Sequence, residues 1–357
     1  MFFLAWLIII GYFSIVIIFL VAISAILTHI IRLISLRINF VDKPGERKIH
    51  KKPIAYGGGL AMFIAFLVGI IFFVEPSRQI IALLISGAFL VFVGLWDDRE
   101  NLPAWFKLIL QIIAVLILIV GGVGVDFITN PIGGQIQLNN WAIPFCSGRY
   151  HFVPLTDLFT LVWVVLMINT MNFLDGLDGL AGGVSAIGGL IIFGLSLIIL
   201  PHQPQTATLA IVLVGACLGF LVFNFHPAKI FMGDAGSQFL GLTLATLAII
   251  AGSKIATTLM VLGLPILDLF WVAVRRISSR QSPFKADKLH FHHRLLQLGL
   301  TQKQAVFLVY GFCAVFGGLA LMLTSSEKLW ALLVMAAIMI LLSIYIVKKT
   351  FNQKNHV

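Results

Sequence analysis

The chain has 357 residues, 60% of them hydrophobic and 11% charged, with a mean hydropathy of +1.06. A water-soluble domain of this size must cover its surface with polar groups, so the composition excludes one and specifies a multi-span membrane protein. The formal net charge of +10 suits anionic headgroups or a phosphate-bearing substrate, and serves equally as the signal that orients such a chain in the bilayer.

A crossing takes about 20 apolar residues. Apolar runs bounded by charges or turn residues centre near positions 13, 66, 87, 114, 163, 190, 215, 245, 265, 313 and 338. The expected architecture is therefore an all-α membrane bundle of about eleven spans, with residues 1–357 forming a single membrane domain. Met1 to Leu27 carries no basic residue before its apolar run and reads as a retained span rather than a cleaved signal. If the connections alternate sides, only Arg78, Arg149, Lys254 and Lys328 fall on one side, and the other 20 of the 24 Lys and Arg fall opposite. That bias places the N-terminus outside and the C-terminus in the cytoplasm. Cys146, Cys217 and Cys313 have no paired spacing, which disfavours a disulfide framework or a thiolate metal site.

The first connection, Asp42 to Pro53, is basic and runs into Gly57-Gly58-Gly59. Its cations suit an anion at the membrane surface or simply set topology, and the glycines permit close helix packing or ligand approach. Next, Asp97-Asp98-Arg99 closes the third span, with Lys107 opening the fourth. Adjacent carboxylates repel unless a cation or proton intervenes, so either a metal-bearing site or a solvated turn fits. From Asp126 to about Leu155 an outer connection carries Gln135-Ile136-Gln137-Leu138 and then Asn139-Asn140, the pattern of a short β-hairpin.

The stretch from Asn169 to Leu180 places Asn169, Asn172, Asp175 and Asp178 at every third residue. Such neighbours share a helix face, and their oxygen atoms suit Mg²⁺ or Mn²⁺ better than zinc. A capped helix end explains one of the four but not all. Phe231-Met232-Gly233-Asp234-Ala235-Gly236-Ser237 then precedes the eighth span, where backbone N–H groups and a carboxylate can meet a phosphate and its metal, or cap a turn. Last comes the cytoplasmic stretch Arg275 to Lys303, with His290-Phe291-His292-His293-Arg294. These side chains can donate to a diphosphate, and their spacing is not that of a zinc-binding helix. Of the fourteen acidic residues, nine lie on the cytoplasmic side, which the positive-inside rule does not require; a polar site assembled from several loops does.

Together and in this order the five elements resemble the polyprenyl-phosphate N-acetylhexosamine-1-phosphate transferases, the membrane family that includes MraY and the WecA/TagO-type enzymes. The resemblance runs from Asp42 to Gln304, and the histidine pattern with Arg275-Arg276 looks more like the WecA/TagO branch. Ala55 departs from it, standing where many members of that branch have proline. The resemblance implies attack of undecaprenyl phosphate on the β-phosphorus of UDP-N-acetylglucosamine, or a related UDP-sugar, with release of UMP. This step initiates a lipid-linked cell-envelope polysaccharide such as an O-antigen, at the cytoplasmic face of a bacterial inner membrane. It implies that Asp234 and Asn172 hold Mg²⁺ (or Mn²⁺), that Asp175 and Asp178 line the nucleotide end, and that Phe231 stacks on uracil. Asp97 and Asp98 would orient or deprotonate the lipid phosphate, Lys107 would contact phosphate, and His290, His292, His293 and Arg294 would steady the sugar diphosphate. Membrane lipids are expected partners, nucleic acid is not, and a homodimer is left open. The competing readings are an intramembrane prenyltransferase, whose acidic motifs are spaced differently, and a transporter, which wants ionisable groups near mid-membrane.

Overall fold

The computed structural model describes residues 2–44, 52–130, 133–145, 150–198, 203–252, 254–278 and 291–354. A helix stands at each of the eleven expected positions: α1 (Phe2–Arg37), α2 (Gly58–Phe73), α3 (Arg78–Glu100), α4 (Ala104–Val120), α5 (Pro154–Leu174), α6 (Leu180–Ile198), α7 (Pro204–Asn224), α8 (Gly233–Ile250), α9 (Ile255–Ser278), α11 (Gln302–Met322) and α12 (Ser325–Lys354). A further short helix, α10 (Phe291–Gln297), falls in the histidine-bearing connection. Among the described residues nine helices are long and apolar enough to cross a membrane. The other two, α2 and α4, are apolar but have only 16 and 17 residues. At 1.5 Å per residue they reach about 25 Å, short of a ~30 Å hydrocarbon core.

The expected outer hairpin is present, but Gln135–Gln137 (β4) pairs backward onto Phe127–Thr129 (β3), with Phe127 opposite Gln137. A second hairpin joins Ile143–Phe145 (β5) to Tyr150–Phe152 (β6). At the other end of the bundle Val41–Asp42 (β1) pairs with Ile54–Ala55 (β2).

The centre of the bundle is α8. Every residue from Ala235 to Ile249 is buried, because α2, α3, α5, α6, α7 and α9 all pack on it. A helix apolar on all sides has no solvent-facing stripe and belongs in such a position. Close approach is achieved with small residues, as is usual where lipid offers no hydrophobic drive between helices. A Cβ on Gly94 of α3 would overlap the backbone of Asp234 and Ala235, and one on Gly59 would overlap that of Gly236. Cys217 and Cys313 are buried in this packing as free thiols, and Cys146 lies outside the described residues.

Helix ends then sort by side. The C-terminal ends of α1, α3, α5 and α7 meet the N-terminal ends of α2, α4, α6 and α8 at one end of the bundle. The opposite end carries β3 to β6, the Arg78 guanidinium on the Val120 carbonyl (2.7 Å) and the Lys328 amine on Thr257 (3.1 Å).

Candidate active site

The N-terminus of α8 is held from two sides. Gly58 and Gly59, opening α2, donate their N–H groups to the carbonyls of Phe231 (3.0 Å) and Met232 (3.1 Å), while Phe231 N–H donates to Ala55 (2.8 Å). A side chain on Gly58 would press on the Phe231 carbonyl, so the glycine run serves chain packing here rather than ligand approach. From the other side Asp98 of α3 caps α8, its Oδ1 accepting the Asp234 N–H at 2.9 Å. Gly233 adopts φ +67°, and a Cβ there would strike the Asp98 carboxylate. One helix thus supplies the cap that the α8 chain itself lacks.

Asp97, adjacent in sequence, points elsewhere. Its Oδ1 accepts the Leu102 N–H (2.7 Å), closing the turn into α4, and its Oδ2 pairs with Lys107. The Lys107 ammonium also reaches Asp234 Oδ2 at 3.1 Å. Lys107 therefore bridges Asp97 and Asp234, and neighbouring carboxylates divide into a turn-closing one and a helix-capping one. The other oxygen of Asp98, Oδ2, is buried and accepts no hydrogen bond among the described residues. A buried carboxylate oxygen without a donor costs on the order of 1–3 kcal/mol or more, and is the kind of atom a cation satisfies.

The second motif is not one helical face. Asn169 and Asn172 lie in α5, Asp175 stands just past its end, and Asp178 sits in the turn before α6. Asn169 turns away, donating to Gln111 of α4 (2.9 Å) and to the Val165 carbonyl. Asn172 donates to Ser237 Oγ of α8 (3.0 Å) and hydrogen-bonds to Asp234, leaving its carbonyl oxygen as the atom to offer a cation. Burial first, then the charges of Asp234, Asp98 and Asp178, push the Asp175 carboxyl well above its ordinary value. Asp178 Oδ2 accepts the Ala228 N–H at 3.1 Å and lies 2.7 Å from His226 Nδ1.

Asp98, Asn172, Asp175, Asp178, Phe231 and Asp234 all line one cavity of about 760 Å³. That volume lies in the usual range of small-molecule sites. Comparison with known proteins agrees. Residues 80–252 match Glycosyl transferase family 4. The chain is 33% identical over 336 residues to a probable undecaprenyl-phosphate N-acetylglucosaminyl 1-phosphate transferase of Bacillus subtilis, covering 92% of this chain and 89% of that one. It is 34% identical to a decaprenyl-phosphate N-acetylglucosaminephosphotransferase of Mycobacterium tuberculosis, over 80% of this chain and 77% of the relative. It is 28% identical to an undecaprenyl-phosphate alpha-N-acetylglucosaminyl 1-phosphate transferase of Salmonella typhi, over 92% and 89%. The chain belongs to glycosyl transferase family 4.

In this family 4 chain the expected residues are not all at the cavity wall. Asp97 is absent from the lining and Lys107 reaches the site through Asp234. The histidine stretch is not among the lining residues described. His290 lies outside the described residues, and only the backbones of His292 and His293, in α10, are within them. Arg294 is buried on α10, whose first residue, Phe291, donates its N–H to Asp268 Oδ1 of α9 at 3.0 Å. The intramembrane Asp268 thus anchors the start of that short helix.

Several cavity residues were not singled out from sequence: Arg32, Tyr56, Asn224 and His226. Asn224 ties two motifs together, accepting the Gly179 N–H (3.0 Å) and donating to the Ile230 carbonyl (2.9 Å). The signal was there in Asn224-Phe225-His226-Pro227, polar groups ending an apolar span just before the third motif. Arg32 had no such signal, since a basic residue at a span end is what topology alone requires. Burial, and next the Asp42 carboxylate, hold the Tyr56 phenol well above its ordinary value.

Proposed function

We propose that this protein is a polyprenyl-phosphate N-acetylglucosamine-1-phosphate transferase that uses UDP-N-acetylglucosamine, or a related UDP-sugar, and undecaprenyl phosphate. The observation that carries the reading is an acidic cavity at one end of the bundle, built from all three central motifs, in a chain whose relatives bear that activity in their names. An oxygen of the lipid phosphate attacks the β-phosphorus of the sugar nucleotide, and the bond from that phosphorus to the bridging oxygen breaks, so UMP leaves. Direct displacement needs no covalent enzyme intermediate and is the simpler course.

The cavity and its margin gather six carboxylates, Asp42, Asp97, Asp98, Asp175, Asp178 and Asp234, against the four cations Arg32, Lys52, Lys107 and Lys229. A diphosphate cannot approach that excess of negative charge without a compensating cation. Among the described residues no three acidic, histidine or thiol side chains converge as a preformed metal cage. This fits Mg²⁺, which is typically held by one or two carboxylates together with the substrate's own phosphates. Asp234, the unsatisfied oxygen of Asp98 and the Asn172 carbonyl would hold it. When bound, Mg²⁺ (or Mn²⁺) neutralises charge on the transferring phosphoryl group.

The chain's own groups orient and exclude. Lys107, held by Asp97 and Asp234, would meet an incoming phosphate oxygen. Asp98 would orient the acceptor phosphate beside it. Asp175 and Asp178 line the nucleotide end and Phe231 offers a ring to the base. His290, His292, His293 and Arg294 would steady the sugar diphosphate.

The orientation follows from the same bias of charge: N-terminus outside, C-terminus in the cytoplasm, eleven crossings in one membrane domain, and the cavity facing the cytoplasm of a bacterial inner membrane. Nucleotide sugars are cytosolic and a polyprenyl phosphate keeps its head at the inner interface, so a site at the helix ends lets the two meet. The direct test supplies purified protein and Mg²⁺ with undecaprenyl phosphate and a panel of UDP-sugars. UMP release dependent on both substrates is expected with UDP-N-acetylglucosamine; no release with any of the panel would refute the reading.

A further inference from the structure

The cavity wall holds one carboxylate and imidazole pair that the acidic cluster around Lys107 does not use. Asp178 comes from the turn between α5 and α6, and His226 from the connection between α7 and α8. His226 Nδ1 lies 2.7 Å from Asp178 Oδ2, and the Ala228 N–H reaches the same oxygen at 3.1 Å. A carboxylate only accepts, so the ring donates from Nδ1. Two donors from one connection thus occupy one oxygen of Asp178. The two loops are also tied at their bases, since Asn224 bonds both Gly179 and Ile230. His226, Asp178 and Phe231 all face the cavity.

A carboxylate turns freely about its last torsion, for which the rotamer distribution is broad. Holding Oδ2 on the imidazole and the backbone therefore decides where Oδ1 points. We propose that His226 is a positioning residue for the nucleotide: by fixing Asp178 it aims the second carboxylate oxygen at an N–H donor on the base. This rests on the transferase reading above. Uracil presents such a donor at N3, whereas cytosine presents an acceptor there, so the pair would favour uridine over cytidine nucleotides.

The experiment measures KM and kcat for UDP-N-acetylglucosamine and inhibition by UMP and CMP. For H226A the KM should rise about tenfold, the loss of one charge-assisted hydrogen bond, with kcat within about threefold of wild type. The preference for UMP over CMP as inhibitor should shrink in parallel. H226N, whose amide nitrogen can donate to the same oxygen, should recover most of the loss. In a D178A background H226A should change KM no further. Should H226A fail to accumulate, H226Q keeps size and polarity while displacing the donor, and the same rise in KM is expected of it. An unchanged KM and UMP preference in these variants, or losses that simply add in the double variant, would overturn the assignment. Absence of UMP release by the wild-type chain would instead overturn the transferase reading itself, so the two failures are distinct.

Discussion

At the scale of single residues, the decisive fact is the division of labour between neighbours of the same type. Asp97 closes a turn and holds Lys107, Asp98 caps α8 from another helix, and Asp234 sits between Lys107 and Asn172. The backbone N–H of Asp234, not its side chain, anchors the start of α8. The Asp234→Asn variant should therefore fold and insert normally yet lose UMP release by about a thousandfold or more, since on the proposed reading it takes a charged ligand from the metal. Activity within tenfold of wild type would show that Asp234 does not carry the metal. Sequence spacing alone could not assign these roles. It grouped Asn169 with Asn172, Asp175 and Asp178, but Asn169 faces α4, and α5 ends before the third member of the series. A three-residue repeat shares a face only while the helix lasts.

At the scale of elements, the site exists because α8 lies within backbone contact of α2 and α3. Gly94→Ala would drive a methyl group into the backbone of Asp234 and Ala235, where no flexible side chain can yield. A loss of about 1–3 kcal/mol is expected, read as a lower unfolding temperature in detergent, together with reduced turnover as Asp98 and Asp234 move apart. Asn224→Ala leaves the Gly179 N–H and the Ile230 carbonyl without partners in a buried place. It should destabilise by about 2–4 kcal/mol and raise KM for the nucleotide sugar, since the loops it joins carry Asp178 and Phe231. Thermal unfolding with steady-state kinetics checks both. Asn224 was illegible as a link, because its partners lie at sequence distances of 45 and 6 residues in two different motifs.

For the whole molecule, the testable property is sidedness. Cysteines placed at the exposed positions Asn101 and Lys303 should react with an impermeant reagent only from the cytoplasmic side, and those at Gln135 and Ser326 only from outside. Outward reactivity at Asn101 would reverse the orientation, and mixed labelling would break the shared-site argument. Ser237, though it belongs to the third motif, is buried against Gly233 and Asn172 and would not report on either side. The helices at the eleven expected positions, nine of them long and apolar enough to cross a membrane among the described residues, were legible because a crossing must be written as an uninterrupted apolar run, satisfying its backbone internally in a solvent without hydrogen bonds. The bias of the basic residues was legible because sidedness is encoded locally, loop by loop.

Composition and motif order by themselves determined that this is a polytopic helical membrane protein with an acidic site at one end, and pointed to its family. What only the tertiary structure decided is which carboxylates meet and through which atoms: Asp98 on the α8 N-terminus, Lys107 between Asp97 and Asp234, His226 on Asp178. Those pairings depend on how near one helix can come to another, which is set by the glycines at their crossings. Apolarity is a property of each segment taken alone, whereas the reach of a side chain across a helix interface is a property of two segments together, and no run of residues read singly contains it.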